Sequence, residues 1–323
     1  MLRSGLFFLL SLTTWGVVLS LAEGSLPNLV VSGFTWAENL AFDGFGNLFV
    51  TENHRGELWR INLCKAGTDY CSVRQLSDGF SAFGGLQIPP EGKIVYAGAT
   101  MDDGSTAVIS TAAVPENPPT YTIVAKTRRQ PNGMACDWNT QTLYYTLEGN
   151  TTESGRLMGV NLKTGAESTL YTDMNGADGI WFDEPTNLLY VGLLTEKKVA
   201  VFNVSVPVTS ASFLVGKFAG FSSLGVTHML DDLTLLKSTD TSDLSRTVLL
   251  GADWLSSELQ QFSLDGSSIK SIPPPAGIDK FYQLTSVRWG KGPGFDSNSV
   301  YVTEGGGMFD KQTDRRVIQI PMV

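Results

Sequence analysis

Basic residues are in deficit in this 323-residue chain, and charge of either sign is sparse. Lysine and arginine total 23 against 32 aspartates and glutamates, giving a net charge of −9 and a pI near 4.8. That balance argues against nucleic acid or an anionic membrane as a partner. Histidine is almost missing, with only His54 and His228, and there are three cysteines, so a metal site here would have to be built mainly from oxygen ligands. Helical periodicity is missing beyond the N-terminus, and no apolar run after residue 22 is long enough to cross a bilayer. What the chain does have is 34 glycines and 10% aromatic residues, a mixture suited to an all-β protein with many tight turns.

The first 22 residues read as a secretory signal. Arg3 precedes an apolar run from Leu6 to Leu21, and Ser20 and Ala22 are small residues ahead of a cut before Glu23. The mature protein is then expected to be secreted and free of stable membrane insertion, a retained anchor being the alternative. Cys64 and Cys71 bracket a short polar segment and can form a local disulfide, against the alternative of two unpaired thiols. Cys136 lies inside an apolar strand and reads as a buried free thiol. Asn150-Thr-Thr and Asn203-Val-Ser are glycosylation sequons in loop-like surroundings.

One phrase recurs six times, led by Glu38, Gly84, Asn132, Asp178, Asp231 and Thr285, at intervals of 46, 48, 46, 53 and 54 residues. Each phrase is a small or polar residue, a short apolar strand, a turn and a second strand. A period near 50 with strand-like contents signals radial repetition. Each repeat parses into four strands; in the first these are Leu40–Phe42, Leu48–Thr51, Glu57–Asn62 and Ser72–Leu76. The expected architecture is a signal peptide (1–22) followed by one all-β domain (23–323), a six-bladed β-propeller with four-stranded antiparallel blades. The last repeat lacks a fourth strand, and the apolar segment Leu26–Val31 is placed to supply it.

If each leading residue precedes the innermost strand of its blade, the six form a ring at one mouth of the central channel. Glu38, Asn132, Asp178 and Asp231 would stand on that ring, with Asp232 adjacent. Carboxylates held so close repel unless a cation or protons compensate them. An all-oxygen set suits a hard cation, with Ca²⁺ preferred and Mn²⁺, Zn²⁺ and Mg²⁺ as alternatives. The competing reading is that Asp and Asn merely cap turns, as expected for Asp43, Asp137 and Asp183 at the far ends of the strands. Strand two returns to the same mouth, so Glu52, Glu148, Asp253 and Glu304 would lie there too. His54 and His228 fall in loops on this side.

With these positions assigned, the chain resembles the calcium-dependent six-bladed propeller superfamily. That group includes the senescence-marker-protein/gluconolactonase family, the paraoxonases and the strictosidine-synthase-like proteins. Pro131-Asn132-Gly133 and Ala177-Asp178-Gly179 carry the most family-like local patterns. The resemblance implies a metal held by Glu38, Asn132, Asp178 and Asp231, with Asp232 where paraoxonases place a further ligand. It also implies departures. Gly84 stands where paraoxonases carry a catalytic histidine, and Leu284–Arg288 offers no glutamate base of the strictosidine-synthase kind. The gluconolactonase-type scheme remains, with Asp231 matching its aspartate base and Glu148 a substrate-contacting glutamate.

The expected function is therefore a secreted, metal-dependent hydrolase of a lactone or related carboxylic ester. Asp231 or His228 would take the proton from water, and Glu148, Glu52 and His54 would line the pocket. A monomer acting on a small molecule is expected. The rivals are a non-catalytic binding or scaffold propeller with a structural calcium ion, and a synthase acting on a specialised metabolite.

Overall fold

The short apolar runs that follow the six leading residues form strands, and each pairs with the next run across a tight turn. The computed structural model describes residues 28–64, 69–114, 118–149, 153–196, 198–205, 213–217, 229–236, 246–264, 269–306 and 314–322. Among them all extended regular structure is strand, and no helix is long and apolar enough to cross a membrane. The segment read as a secretory signal, residues 1–22, lies outside the described residues.

Six four-stranded antiparallel sheets make the propeller. Blade one is Ala37–Phe42, Leu48–Glu52, Glu57–Leu63 and Tyr70–Leu76. Blade two is Phe80–Gln87, Ile94–Met101, Thr106–Ala112 and Tyr121–Thr127. Blade three is Met134–Asp137, Thr142–Leu147, Arg156–Asn161 and Glu167–Tyr171. Blade four is Ala177–Asp183, Leu188–Leu193, Lys198–Asn203 and Phe213–Lys217. Blade five is Leu230–Leu235, Val248–Asp253, Glu258–Ser263 and Ile269–Ile272. Blade six is Leu284–Trp289, Ser299–Glu304 and Arg315–Pro321, completed by the N-terminal strand Leu29–Phe34, which pairs antiparallel with Arg315–Pro321. An N-terminal strand thus closes blade six as expected and covers its open edge, but it spans Leu29–Phe34 rather than Leu26–Val31. Innermost strands neighbour one another around the ring, and that of blade six packs on that of blade one.

The turns carry the expected chemistry. Asp43 Oδ1 accepts the backbone N–H of Phe45 and Asn47 (2.7 and 3.0 Å), and Asp137 Oδ1 accepts those of Asn139 and Thr140 (2.9 and 3.2 Å). The Thr186 hydroxyl donates to Asp183. Such local bonds fix the hairpin between strands one and two.

The core is divided rather than central. Its apolar side chains fall into six packets, each between two adjacent blades. Two residues after each leading residue comes one apolar side chain, namely Leu40, Leu86, Met134, Ile180, Leu233 or Val287, and all six are essentially inaccessible. Burying a side chain of this size contributes about 1.5–3 kcal/mol. Cys64 and Cys71 are disulfide-bonded, with Cα atoms 5.1 Å apart, and Cys136 is a buried free thiol whose pKa burial pushes far up.

The register adds a detail that the periodicity did not carry. The leading residues do not simply precede their strands; in five blades they sit at a β-bulge inside the innermost strand. In blade one Ala37 faces Glu52 and Leu40 faces Val50, so Glu38 and Asn39 together oppose Thr51. Gly84 and Gly85 oppose Gly98, and Asp178 and Gly179 oppose Gly192. Asp231 and Thr285 are the extra residues of blades five and six. A bulge turns a side chain out of the pleat alternation, so the same irregularity five times over aims the leading residues in a common direction.

Candidate metal centre

A buried threonine opposite the bulge holds several leading residues in place. Thr51 Oγ1 accepts the N–H of Asn39 (2.9 Å) and donates to the carbonyl of Gly84 in the next blade (2.8 Å). Thr146 does the same for Gly133 N–H (2.8 Å) and the Asp178 carbonyl (2.7 Å). Thr303 donates to the Glu38 carbonyl (3.0 Å), which joins blade six to blade one. The backbones that carry Glu38 and Asp178 are therefore pinned from the preceding blade.

Glu38, Asp178 and Asp231 are only 6%, 4% and 7% exposed. Burial, and then the nearby Glu148, Asp232 and Glu52, push the Glu38 carboxyl up to about 7 against a hydrogen bond donated by Trp36 Nε1 that pulls it down. Burial raises Asp178 and Asp231 well above the usual carboxylate range, and each is raised further by the other ring acids, Glu148 and Asp232 among them. Glu148 is open to solvent, yet desolvation raises it too, opposed by Arg129. These groups thus lie within electrostatic reach of one another although they come from blades one, three, four and five. Asn132, half-buried, occupies the blade-three position, its backbone N–H on the Thr146 carbonyl (3.0 Å).

The Asp178 and Asp231 carboxylates accept no hydrogen bond among the described residues, and nor does the Asn132 side-chain amide make one. Buried carboxylates without donors are costly unless neutralised by protons or by a cation. The donor set of Glu38, Asn132, Asp178 and Asp231, all oxygen, fits a hard divalent ion. Among the described residues no three acidic, histidine or cysteine side chains are already gathered as a finished metal centre.

Two predicted site residues are otherwise engaged. Asp232 was expected beside the ligands, but its Oδ2 accepts from Ser286 Oγ and Arg288 Nη1, both at 2.5 Å. The Arg288 guanidinium also lies 5.6 Å from the Trp181 ring, so a buried cation claims this acid. Its other oxygen, Oδ1, lacks a partner among the described residues. Glu52 was expected to line a pocket, but it is fully buried and clasps backbone instead. Its Oε1 accepts Trp36 N–H (2.6 Å) and its Oε2 accepts Arg55 N–H (2.7 Å). Asp253 and Glu304 repeat the device in blades five and six, accepting Met229 N–H (3.1 Å) and Tyr282 N–H (2.9 Å). Glu148 sits one residue beyond that register, in the same blade as Thr146, and escapes the clasp role.

Of the remaining positions, His54 is exposed and packs on Trp36 with ring centroids 4.7 Å apart. His228 and Asn150 lie outside the described residues. Asn203 ends a strand of blade four, its Oδ1 accepting from Ser205 N–H (3.0 Å). The two ring positions without ligands are filled from elsewhere. A Cβ on Gly84 would lie 2.4 Å from the Pro131 carbonyl and 2.9 Å from Gln130 Nε2, so no histidine or other side chain can stand there. Thr285 is buried, its hydroxyl donating to the Ala37 carbonyl (2.6 Å), and the Trp36 indole packs against Gly305. Neither Trp36 nor Gln130 was legible in the repeat, since both stand two residues before a leading position.

No family model matches the sequence, and no curated protein matches it either. Solved structures do match. The chain is similar to a luciferin-regenerating enzyme, with 13% identity, TM-score 0.65, and 91% of this chain and 93% of that chain covered. It is similar to regucalcin of Agrobacterium tumefaciens, described as a calcium-binding protein, with 14% identity, TM-score 0.64 and coverage of 92% and 95%. It is also similar to a chain of a nidogen/laminin complex, with 14% identity, TM-score 0.58 and coverage of 77% and 86%. At such identities the likeness is one of fold: a propeller that serves as an enzyme, a calcium-binding protein and a member of a protein complex.

Proposed function

We propose that the protein is a secreted, calcium-dependent hydrolase that opens a lactone or cleaves a related carboxylic ester, working as a monomer. The observation that carries this reading is the set of buried carboxylates at Asp178 and Asp231, without hydrogen-bond donors among the described residues, beside Glu38. Glu38, Asn132, Asp178 and Asp231 would hold the ion, with Asp232 left to Arg288. Bound there, a divalent cation supplies Lewis-acid polarisation of the ester carbonyl and stabilises the charge that develops on its oxygen.

The chain's own residues do the rest. Asp231, buried on the ring, takes the proton from the attacking water and returns it to the departing alkoxide oxygen. His228 is the alternative base. Trp36 fixes the orientation of Glu38 through its indole N–H. Glu148, accessible at the mouth, meets the substrate as it enters. The product of hydrolysis is a carboxylate, which the acidic ring repels, so release is favoured by the same charges.

The similarity to a chain solved with laminin supports a second reading, a binding propeller in which the ion braces the channel mouth. Chelator-washed protein assayed against aryl esters and γ- and δ-lactones, with Ca²⁺, Mn²⁺, Zn²⁺ or chelator, separates the two. The hydrolase reading expects turnover restored by one of these ions and abolished by Asp231→Ala. Calcium binding without turnover of any panel member would favour the scaffold.

A further inference from the structure

Beside the carboxylates the mouth carries three aromatic rings from three separate segments. Trp36 precedes Glu38 by two residues, His54 follows strand two of blade one, and Trp254 follows strand two of blade five. The Trp36 ring centroid is 4.7 Å from that of His54 and 6.1 Å from that of Trp254, each pair tilted by 35°. They meet because Trp36 reaches across blade six: a Cβ on Gly305 would lie 2.9 Å from its Cε2. The missing side chain there is what lets the indole approach the blade so closely.

The backbones beneath these rings are fixed. Trp36 N–H is held by Glu52 and its carbonyl by Asn53 N–H (3.0 Å). Trp254 N–H donates to the Met229 carbonyl (2.9 Å), and Asp253 anchors the same segment. Solvent nonetheless reaches all three residues, since His54 is exposed and the tryptophans are half-buried. Trp254 Nε1 is itself buried and has no hydrogen-bond partner among the described residues, so its indole offers the mouth apolar ring surface.

We propose that Trp36, His54 and Trp254 form an aromatic subsite at the channel mouth, which takes the planar, uncharged aromatic part of a substrate. Flat π-faces held rigidly favour a flat π-ligand, which pays little ordering entropy on binding. Glu38, Glu148, Asp178 and Asp231 nearby repel an anionic ligand. The substrate class is then an aryl ester or a ring-fused aromatic lactone. Only the reacting bond in this inference rests on the hydrolase reading; the subsite itself does not.

The test uses ligand-observed NMR titration of the mature protein, calcium-loaded and chelator-stripped, with coumarin, δ-valerolactone and tetramethylammonium as probes. Coumarin is expected to bind at least tenfold more tightly than δ-valerolactone. Trp254→Leu should remove that preference, and His54→Ala, at an exposed position that folding does not depend on, should reduce it at least threefold. Equal binding of the two lactones by the wild type, or a preference that survives both substitutions, would overturn the subsite. Tighter binding of tetramethylammonium than of coumarin would overturn the uncharged class. Substitution-sensitive coumarin binding in a protein that hydrolyses no ester would keep the subsite and remove the hydrolase.

Discussion

Whether an acid is free or spent depends on partners far away in sequence. Asp232 and Arg288 are 56 residues apart, and nothing local to Asp231-Asp232 marks the second acid as ion-paired. Glu52 and Glu148 look alike as strand-end glutamates, yet one residue of register makes the first a backbone clasp and leaves the second accessible. Asp178 and Asp231, by contrast, could be picked out from sequence because their phase in the repeat is local information. The buried pair gives a prediction at this scale. Arg288→Met strands Asp232 without its cation and should destabilise the protein by about 3–5 kcal/mol in urea unfolding. Adding Asp232→Leu should recover much of that loss, since removing both charges is far less costly than removing one.

Bulged inner strands and the threonines opposite them convert a repeat into a ring. The four-strand parse and the closing N-terminal strand were readable because alternation and turn residues act within about ten residues. The bulges were not, because a bulge shows only when the partner strand's register is known. Threonine latches occur where blades six, one and three meet the next blade, and only two of the three carry a ligand residue. Thr146→Val should cost about 1–3 kcal/mol through unpaired backbone groups, and should weaken calcium binding because it frees the Asp178 backbone. Thr51→Val should cost a similar amount but weaken calcium binding less, since across the blade boundary it holds Gly84 and beside Glu38 only the Asn39 N–H. Thermal unfolding paired with calcium titration calorimetry reads both quantities. Equal calcium affinities for the two variants would mean that the latch does not position the ring.

Across the whole molecule, closure of six blades is what confines the acids together, and this sets the pH response of the metal-free protein. Glu38 titrates near 7 in the folded chain against an ordinary 4.5, and Asp178 and Asp231 shift the same way. The folded state therefore holds protons that the unfolded chain has already lost as pH rises above about 4.5. Stability of the chelated protein should fall as pH rises from about 5 to 7.5, by a drop in melting temperature. Bound calcium, which competes with those protons, should flatten or reverse the slope. A metal-free protein most stable at pH 7.5 would argue that the carboxylates are compensated by the chain alone.

The most direct measurement is calcium titration calorimetry on chelator-washed protein, paired with lactone hydrolysis on the same samples. One calcium site per chain is expected, lost in Asp178→Asn and Asp231→Ala, with hydrolysis rising in proportion to its occupancy. Hydrolysis that persists at full rate without metal, or wild-type protein that binds no divalent ion, would contradict it.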